Sequence, residues 1–299
     1  MINGLLNLNV ALPAALSLPV LVALRRLVPA SKSREESHTN GMDALAFSSS
    51  AFVWFVFFSL LIPHKEERFL APVYPLLVFA GAVAIHILTS LLLSGCQHFL
   101  PRDLARSSSI VVRQLGALAI LTAALLSLSR IAALQTSYTA PLPVYQALNS
   151  ELSSLRKTRG SEDAHVCIGV EWYRFMSSFF LPDHRDHLSF VRFGPTGLLP
   201  AEFNRSLGTS GIPANMNDRN QEETSRYIEP RLCDFLIDLD IGEGQGHLPD
   251  LRQLKWDTVI EVPFLDSSRS RQPWRSFYVP WMSARKNAYA SYRLLRRQP

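Results

Sequence analysis

The chain has 299 residues, of which 47% are hydrophobic and 18% charged, with a formal net charge of +5. This charged fraction is below the quarter that is usual for soluble globular proteins. A basic balance can indicate nucleic-acid binding, but much of the positive charge here lies in short stretches beside long apolar runs, as in membrane proteins. No nucleic-acid-binding motif accompanies it, so nucleic acid is not expected as a partner.

The long apolar runs are concentrated in the first half of the chain. They cover residues 5–24, 44–62, 71–93 and 115–134. Each run is close to the ~20 residues that cross a ~30 Å hydrocarbon core. The sequence therefore predicts a polytopic α-helical membrane region of about four spans over residues 1–134, followed by a second domain over residues 135–299.

Basic residues between the runs predict their orientation. Arg25, Arg26, Lys32 and Arg34 follow the first run, and Arg102, Arg106 and Arg113 lie between the third and the fourth. If both of these loops are cytosolic, residues 64–69 and everything after the fourth run face the other side of the membrane. The second domain is then lumenal.

The second half combines one helical pattern with several strand-like runs. Val144, Leu148, Leu152 and Leu155 are spaced to share one helix face. Strand-like runs follow at residues 166–170, 188–193, 235–239 and 258–264, with Pro and Gly between them. Together these patterns predict a small α/β domain.

Two features of this half bear on its compartment. Cys167 and Cys233 are consistent with a lumenal disulfide, although two free buried thiols fit the sequence equally well. Asn204-Arg205-Ser206 is an N-glycosylation sequon, which can be used only if the domain is lumenal.

A dense polar run, His64-Lys65-Glu66-Glu67-Arg68, separates the second and third apolar runs. Charged loops are common at membrane surfaces, and on charge alone that interpretation is favoured. The alternative is a lipid-phosphate site, in which His64, Lys65 and Arg68 clamp the phosphate. Glu66 and Glu67 would then orient these cations or accept hydrogen bonds from sugar hydroxyls.

This run, with Phe69 and Leu70 and then Pro72, Tyr74 and Pro75, resembles the HKEERF signature of the family 22 mannosyltransferases. These enzymes belong to the GT-C superfamily and use dolichyl phosphate mannose in the ER. Residues 166–175, 177–182, 215–218, 225–228, 264–266 and 277–280 are similar to the C-terminal part of the ER α-1,2-mannosyltransferases of lipid-linked oligosaccharide assembly. The resemblance covers most of residues 62–292.

The resemblance implies an inverting enzyme that moves mannose in α-1,2 linkage from dolichyl phosphate mannose to the dolichyl-diphosphate-linked high-mannose N-glycan precursor. It implies ER membrane lipid, this donor and this acceptor as partners, and no cofactor. His64, Lys65 and Arg68 would bind the donor phosphate, where charge builds up in the transition state. Glu66, Glu67 and Phe69 would shape that site.

The same resemblance also predicts what the chain lacks. Enzymes of this superfamily carry the presumed catalytic carboxylate in the first lumenal loop of a longer membrane region, and that loop is absent here. Met1 opens almost directly into the first apolar run, without the basic segment of a signal peptide. We therefore expect the C-terminal portion of a longer enzyme, inactive by itself, and assign no catalytic residue.

Two other functions fit the same residues. One is a GPI-anchor mannosyltransferase of the same family, and the other is a non-catalytic, membrane-anchored lumenal scaffold. The genomic sequence upstream separates the scaffold from the enzymes. A coding segment with further spans and an acidic lumenal loop would favour an enzyme, and its absence would favour the scaffold.

Four consecutive residues are candidates for the acceptor side: Glu171, Trp172, Tyr173 and Arg174. Aromatic rings beside a carboxylate and a guanidinium suit sugar stacking and hydroxyl recognition, but they equally suit a strand end that packs its aromatic residues into the domain. Asp238-Leu239-Asp240 resembles a DxD metal motif, yet it ends an apolar strand-like run with its polar residues facing solvent. His184-Arg185-Asp186-His187 lacks a further ligand, so no metal site is predicted.

Overall fold

The structure is a computed structural model that describes residues 2–27, 53–58, 60–61, 67–160, 162–169, 171, 178–192, 197–204, 206–240 and 255–298. The chain divides into two compact units, Met1–Ala132 and Ala133–Pro299. The first unit is helical and the second contains a β-sheet. The broad prediction of long apolar helices followed by a small sheet domain is confirmed, whereas the count of four spans and the lumenal orientation stay predictions.

The described residues of the first unit are mostly helical, with a short helical stretch at residues 53–58 and four further helices, the last of which ends beyond Ala132. These four are α1 (Ile2–Leu8), α2 (Ala11–Leu27), α3 (Tyr74–Phe99) and α4 (Arg102–Ser137). Two helical stretches, Phe69–Phe99 and Arg102–Arg159, are long and apolar enough to cross a membrane. They contain the third and fourth predicted spans. Of the second predicted span, only residues 53–58 and 60–61 are described.

Two expectations about this unit are wrong. The first apolar run is not one helix, because Asn9 has a left-handed backbone (φ 38°) and separates α1 from α2. The Asn9 Nδ2 donates a hydrogen bond to Ser127 Oγ on α4 at 3.0 Å. Arg102, Arg106 and Arg113 lie in the first turns of α4 rather than in a loop. Arginine is a good helix former, and Pro101 with Asp103 forms a helix-start signal.

Helices α2 and α3 pack closely through small residues. Leu12, Ala15, Leu77 and Ala84 are buried between them. At Gly81 an added Cβ would lie 2.6 Å from the Ala11 carbonyl oxygen. Glycine is therefore required for this approach of the two backbones, as is common in helix pairs of membrane proteins.

The second unit is a mixed sheet covered by one helix. Its strands are β1 (Ala164–Ile168), β2 (Asp186–Phe190), β3 (Phe235–Asp240), β4 (Trp256–Leu265) and β5 (Tyr289–Arg297). Their order is β2-β1-β3-β5-β4, with β1 parallel to β2 and β3, and β5 antiparallel to β3 and β4. Helix α5 (Pro141–Arg159) buries Val144, Leu148 and Leu152 in the core that it shares with the sheet.

The sequence pattern predicted α5 and the four strands β1 to β4, with ends that differ by a few residues. It did not predict β5, which lies between β3 and β4 in the sheet. The alternation in β5 is partly hidden because Arg293 lies among buried residues and both Leu294 and Leu295 are buried.

Candidate functional site

The signature loop lies partly outside the described residues. His64, Lys65 and Glu66 are not described, and Glu67 begins a 3-10 helix, Glu67–Val73, that leads directly into α3. Arg68 occupies the second position of this helix. The predicted donor-phosphate site is therefore adjacent to the N-terminal end of a long helix.

Phe69 anchors the end of this loop on the helical stretch at residues 53–58. Its ring meets the Phe58 ring edge-on, with 6.0 Å between centroids. Its carbonyl oxygen accepts a hydrogen bond from Trp54 Nε1 at 3.3 Å. The phenyl group is 42% exposed, while Leu70 beside it is buried. This arrangement fixes the backbone just after Arg68.

The proposed acceptor segment is described only at Glu171, and Trp172, Tyr173 and Arg174 lie outside the described residues. Glu171 is fully buried. A sugar hydroxyl therefore does not reach its carboxylate directly in this structure, and the acceptor role of the whole segment stays a prediction.

A disulfide joins β1 to the segment before β3. Cys167 and Cys233 are both buried, and their Sγ atoms are 1.97 Å apart. The bridge packs in a second small core with Val191, Leu236 and Leu295. The structure thus contains the disulfide rather than the two free thiols that the sequence also allowed.

A polar cleft of about 630 Å³ lies beside β2, and sequence reasoning did not predict it. Its lining includes Asp183, His184, His187, Glu202 and Phe203. The His187 Nδ1 lies 2.6 Å from Glu202 Oε1, and its ring stacks on His165 with 5.4 Å between centroids. The signal available in the sequence was the run of residues 183–187, which has an ionisable side chain at every position.

Arginines neutralise the acidic groups of this cleft. The Arg185 guanidinium donates to both Asp183 oxygens, at 3.1 and 2.9 Å, and this hydrogen bonding holds the pKa of Asp183 well below its usual range. Arg156 on α5 pairs with Asp186, whose side chain is buried. The Asp183 carboxylate is therefore charged at neutral pH, and arginines hold both Asp183 and Asp186 in place. Among the described residues, no group of three His, Cys, Asp or Glu side chains is arranged to hold a metal ion.

The Asp238-Leu239-Asp240 run is a structural ion-pair site. Arg293 on β5 reaches Asp238 Oδ2 through Nη2 and Asp240 Oδ2 through Nη1, each at 2.9 Å. Asp238 is buried rather than facing solvent as its position in the strand suggested, and burial raises its pKa despite Arg293. The same guanidinium thus forms ion pairs with both carboxylates of this run.

The sequon asparagine lies on the surface. Asn204 is exposed, and its Oδ1 accepts hydrogen bonds from Ser206 N at 3.1 Å and Ser206 Oγ at 2.7 Å. The side chain is thus accessible to a modifying enzyme. Glycosylation of Asn204 stays a prediction.

Comparison with known proteins connects these features to one family. The sequence model of the Alg9-like mannosyltransferase family matches residues 1–182. The chain is 36% identical to the alpha-1,2-mannosyltransferase ALG9 of Homo sapiens and 35% identical to that of Mus musculus. Each alignment covers 99% of this chain and 48% of the relative. The ALG9 of Saccharomyces cerevisiae is 33% identical over 78% of this chain and 40% of the relative. The chain thus spans about half the length of the relatives it matches, and no solved structure is significantly similar to it.

Proposed function

Because the chain belongs to the Alg9-like mannosyltransferase family, we propose that it is part of an enzyme that transfers mannose in α-1,2 linkage from dolichyl phosphate mannose to the dolichyl-diphosphate-linked high-mannose N-glycan precursor. The observation that carries this proposal is the alignment of 99% of the chain with relatives named alpha-1,2-mannosyltransferases. The signature loop lies within the residues that the family model matches.

In this proposal the loop at residues 64–69 binds the leaving group. The glycosidic oxygen stays with the departing dolichyl phosphate, so negative charge grows there in the transition state. Lys65 and Arg68 stabilise that charge, and His64 donates a hydrogen bond. The anchoring of Phe69, which fixes the backbone just after Arg68, supports this role. Glu66 and Glu67 orient the cations. The acceptor hydroxyl attacks the anomeric carbon from the opposite side, which inverts that centre, and no residue of this chain is assigned as the base that takes the hydroxyl proton.

We also propose that residues 1–134 lie in the ER membrane and that residues 135–299 face the lumen. The two long apolar helical stretches support the first assignment. The disulfide supports the second, since disulfides persist in oxidising compartments. The exposed Asn204 is compatible with it. On the acceptor side, Trp172, Tyr173 and Arg174 would contact the glycan.

A segment exchange in yeast tests the activity. Residues 1–299 replace the aligned part of the S. cerevisiae relative, in a strain without its own copy, and microsomes receive labelled dolichyl phosphate mannose. We expect label in α-1,2 linkage on the lipid-linked oligosaccharide. An exchanged protein that is made and membrane-integrated but transfers no mannose would contradict the proposal and favour a non-catalytic scaffold. Labelled glycosylphosphatidylinositol in place of oligosaccharide would favour the GPI-anchor alternative.

Charge removal in the same protein tests the phosphate site. We expect Lys65→Ala with Arg68→Ala to lower mannose transfer about 100-fold or more, which is typical when groups that stabilise transition-state charge are lost. Arg102→Ala with Arg106→Ala is the matched control, since it removes two exposed cations beyond the other end of α3. Unchanged transfer in the Lys65 and Arg68 variant would show that the loop is only an interfacial charge cluster.

A further inference from the structure

The connection between β4 and β5 is much longer than these strands require. Leu265 and Tyr289 are directly paired neighbours in the antiparallel ladder, so a turn of two to five residues would join them. Residues 266–288 take that place instead, with one short helix, α6 (Met282–Lys286), near their end. Long connections inside a compact domain usually carry a function.

This connection is held by hydrogen bonds at its base. The Ser270 hydroxyl accepts from Ala288 N at 2.9 Å and donates to Ala288 O at 3.2 Å, which ties the two ends together. Asn287 Nδ2 donates to Trp274 O at 3.0 Å. Burial acts to raise the pKa of Asp266, but hydrogen bonds from Ser268 and Arg269 outweigh it and lower this pKa to about 2. Hydrogen bonds therefore hold the connection in a defined conformation.

Its tip presents apolar side chains to the outside. Val279, Pro280, Trp281 and Met282 are all exposed, Trp281 by 82%. The buried Ser283 hydroxyl holds this turn, accepting from Val279 N at 2.8 Å and donating to Phe277 O at 3.3 Å. Trp281 has φ 59°, and a left-handed backbone at a bulky residue costs about 1–3 kcal/mol. The domain thus stabilises a strained turn that places an indole ring in solvent.

The charges around the tip indicate what the ring contacts. Residues 266–288 contain five cationic side chains and one carboxylate, Asp266, which pairs with Arg269. Arg285 and Lys286 are exposed on α6, directly after the tip. Lys and Arg only donate hydrogen bonds, whereas sugar recognition also uses acceptors. Tryptophan flanked by cations is instead typical of surfaces that bind the phosphate and acyl-chain boundary of a bilayer.

We propose that the tip at residues 279–282, with Arg285 and Lys286, is a phospholipid-binding site. Trp281 and Met282 insert at the level of the headgroups, and the two cations contact lipid phosphates. The site is separate from the donor-phosphate loop and does not depend on the proposed transfer activity. It would give the sheet domain its own contact with the bilayer surface.

Tryptophan fluorescence of the full chain in nanodiscs tests this site. The bilayer contains phosphatidylcholine and phosphatidylserine whose acyl chains are brominated near the headgroup, and the difference between the wild type and Trp281→Phe isolates the Trp281 emission. We expect this emission to be blue-shifted and quenched by the brominated lipid. Emission typical of water, without quenching, would overturn the proposal. So would a response to soluble manno-oligosaccharide in place of lipid.

Two matched controls separate a specific site from general proximity to the membrane. Ile212 is exposed by 85%, so Ile212→Trp in the Trp281→Phe background places an equally exposed ring elsewhere on the domain. It should remain unquenched, and equal quenching would refute a specific site. Arg285→Glu with Lys286→Glu should shift the lipid-contact equilibrium about fivefold or more per charge. Lys157→Glu with Lys255→Glu, two exposed lysines in the same unit, should leave it unchanged.

Discussion

The two units of the chain place their apolar side chains in opposite ways. On α4, Leu118, Ile120 and Leu125 are each more than half exposed, and only 6% of the most apolar part of its helical stretch is buried. On α5, by contrast, Val144, Leu148 and Leu152 are completely buried. A continuous apolar surface of this kind is stable against lipid or other apolar helices, but not against water. Burial thus agrees with the sequence pattern, which predicts a membrane span at residues 115–134 and an amphipathic helix of the second domain around residues 144–155.

Among the changes that distinguish the two units, removal of the disulfide should have the largest effect on stability. The bridge closes 66 residues of chain, for which loop-closure entropy predicts about 4 kcal/mol of stability. We expect Cys167→Ser with Cys233→Ser to lower the free energy of unfolding of the sheet unit by about that amount, measured by urea titration in detergent micelles. Cys96→Ser, at the free cysteine of the helical unit, is the control and should change little. Equal losses of stability in the double variant and in Cys96→Ser would contradict a disulfide between Cys167 and Cys233.

Charge insertion compares the two exposed helix surfaces directly. Leu118 on α4 and Leu142 on α5 have nearly the same exposure, 55% and 52%. If α4 faces lipid, Leu118→Arg should disfavour membrane insertion by about 3 kcal/mol. Leu142→Arg should be close to neutral. Glycosylation sites engineered on both sides of α4 report the fraction of chains inserted in the membrane. Equal effects of the two substitutions on this fraction would contradict a lipid-facing α4.

A pair of glycines on α3 tests the packing of the helical unit. Gly81→Ala forces a methyl group against the Ala11 backbone, so we expect a loss of about 1–3 kcal/mol. At Gly95 an added Cβ meets nothing within 4 Å, and Gly95→Ala should stabilise α3 by about 0.5–1 kcal/mol. Thermal unfolding in detergent measures both. Opposite signs would show that backbone approach, rather than helix propensity, decides the effect at Gly81.

Acid should act on the sheet unit alone, with the smallest effect. The folded-state pKa values of Asp183 and Asp266 are depressed, so their stabilisation is complete above the unfolded-state pKa near 4 and is lost as pH falls towards 2. For Asp266 we expect a loss of about 1 kcal/mol or less at pH 3, allowing for screening by water.

Asp266→Asn should remove the part of this pH dependence that Asp266 contributes, measured by urea unfolding at pH 7 and pH 3. The described residues of the helical unit contain only Glu67 and Asp103 as carboxylates. Acid-induced loss of helix in that unit first, before the sheet unit changes, would contradict this expectation.

Much of the architecture could be predicted because local patterns and tertiary contacts agree. The spacing of Val144, Leu148 and Leu152 predicted α5, and each of these side chains is buried in the structure. The pattern failed where a half-buried charged side chain interrupts the alternation. Arg293 reads as a surface residue, but it lies in β5 between two aspartates of β3, and so this strand was missed.

The candidate site also has a part that the sequence predicted and parts that it did not. The signature run was recognisable because its residue types and order are specific to a family. The cleft beside β2 was not, because its residues are brought together from β2 and from the chain near Glu202. The tip at residues 279–282 overlaps the family-like segment 277–280, but Trp281 itself was not singled out, because its exposure and left-handed backbone depend on the fold.

By itself, the sequence determined the membership of the chain in its family, the apolar helices, and most strands of the sheet domain. These depend on residue order and short-range periodicity. Only the tertiary structure decided that Cys167 and Cys233 are joined, that β5 lies inside the sheet, and that Trp281 is exposed on the surface of the sheet domain. Those outcomes depend on contacts between residues far apart in the chain, which no local pattern encodes.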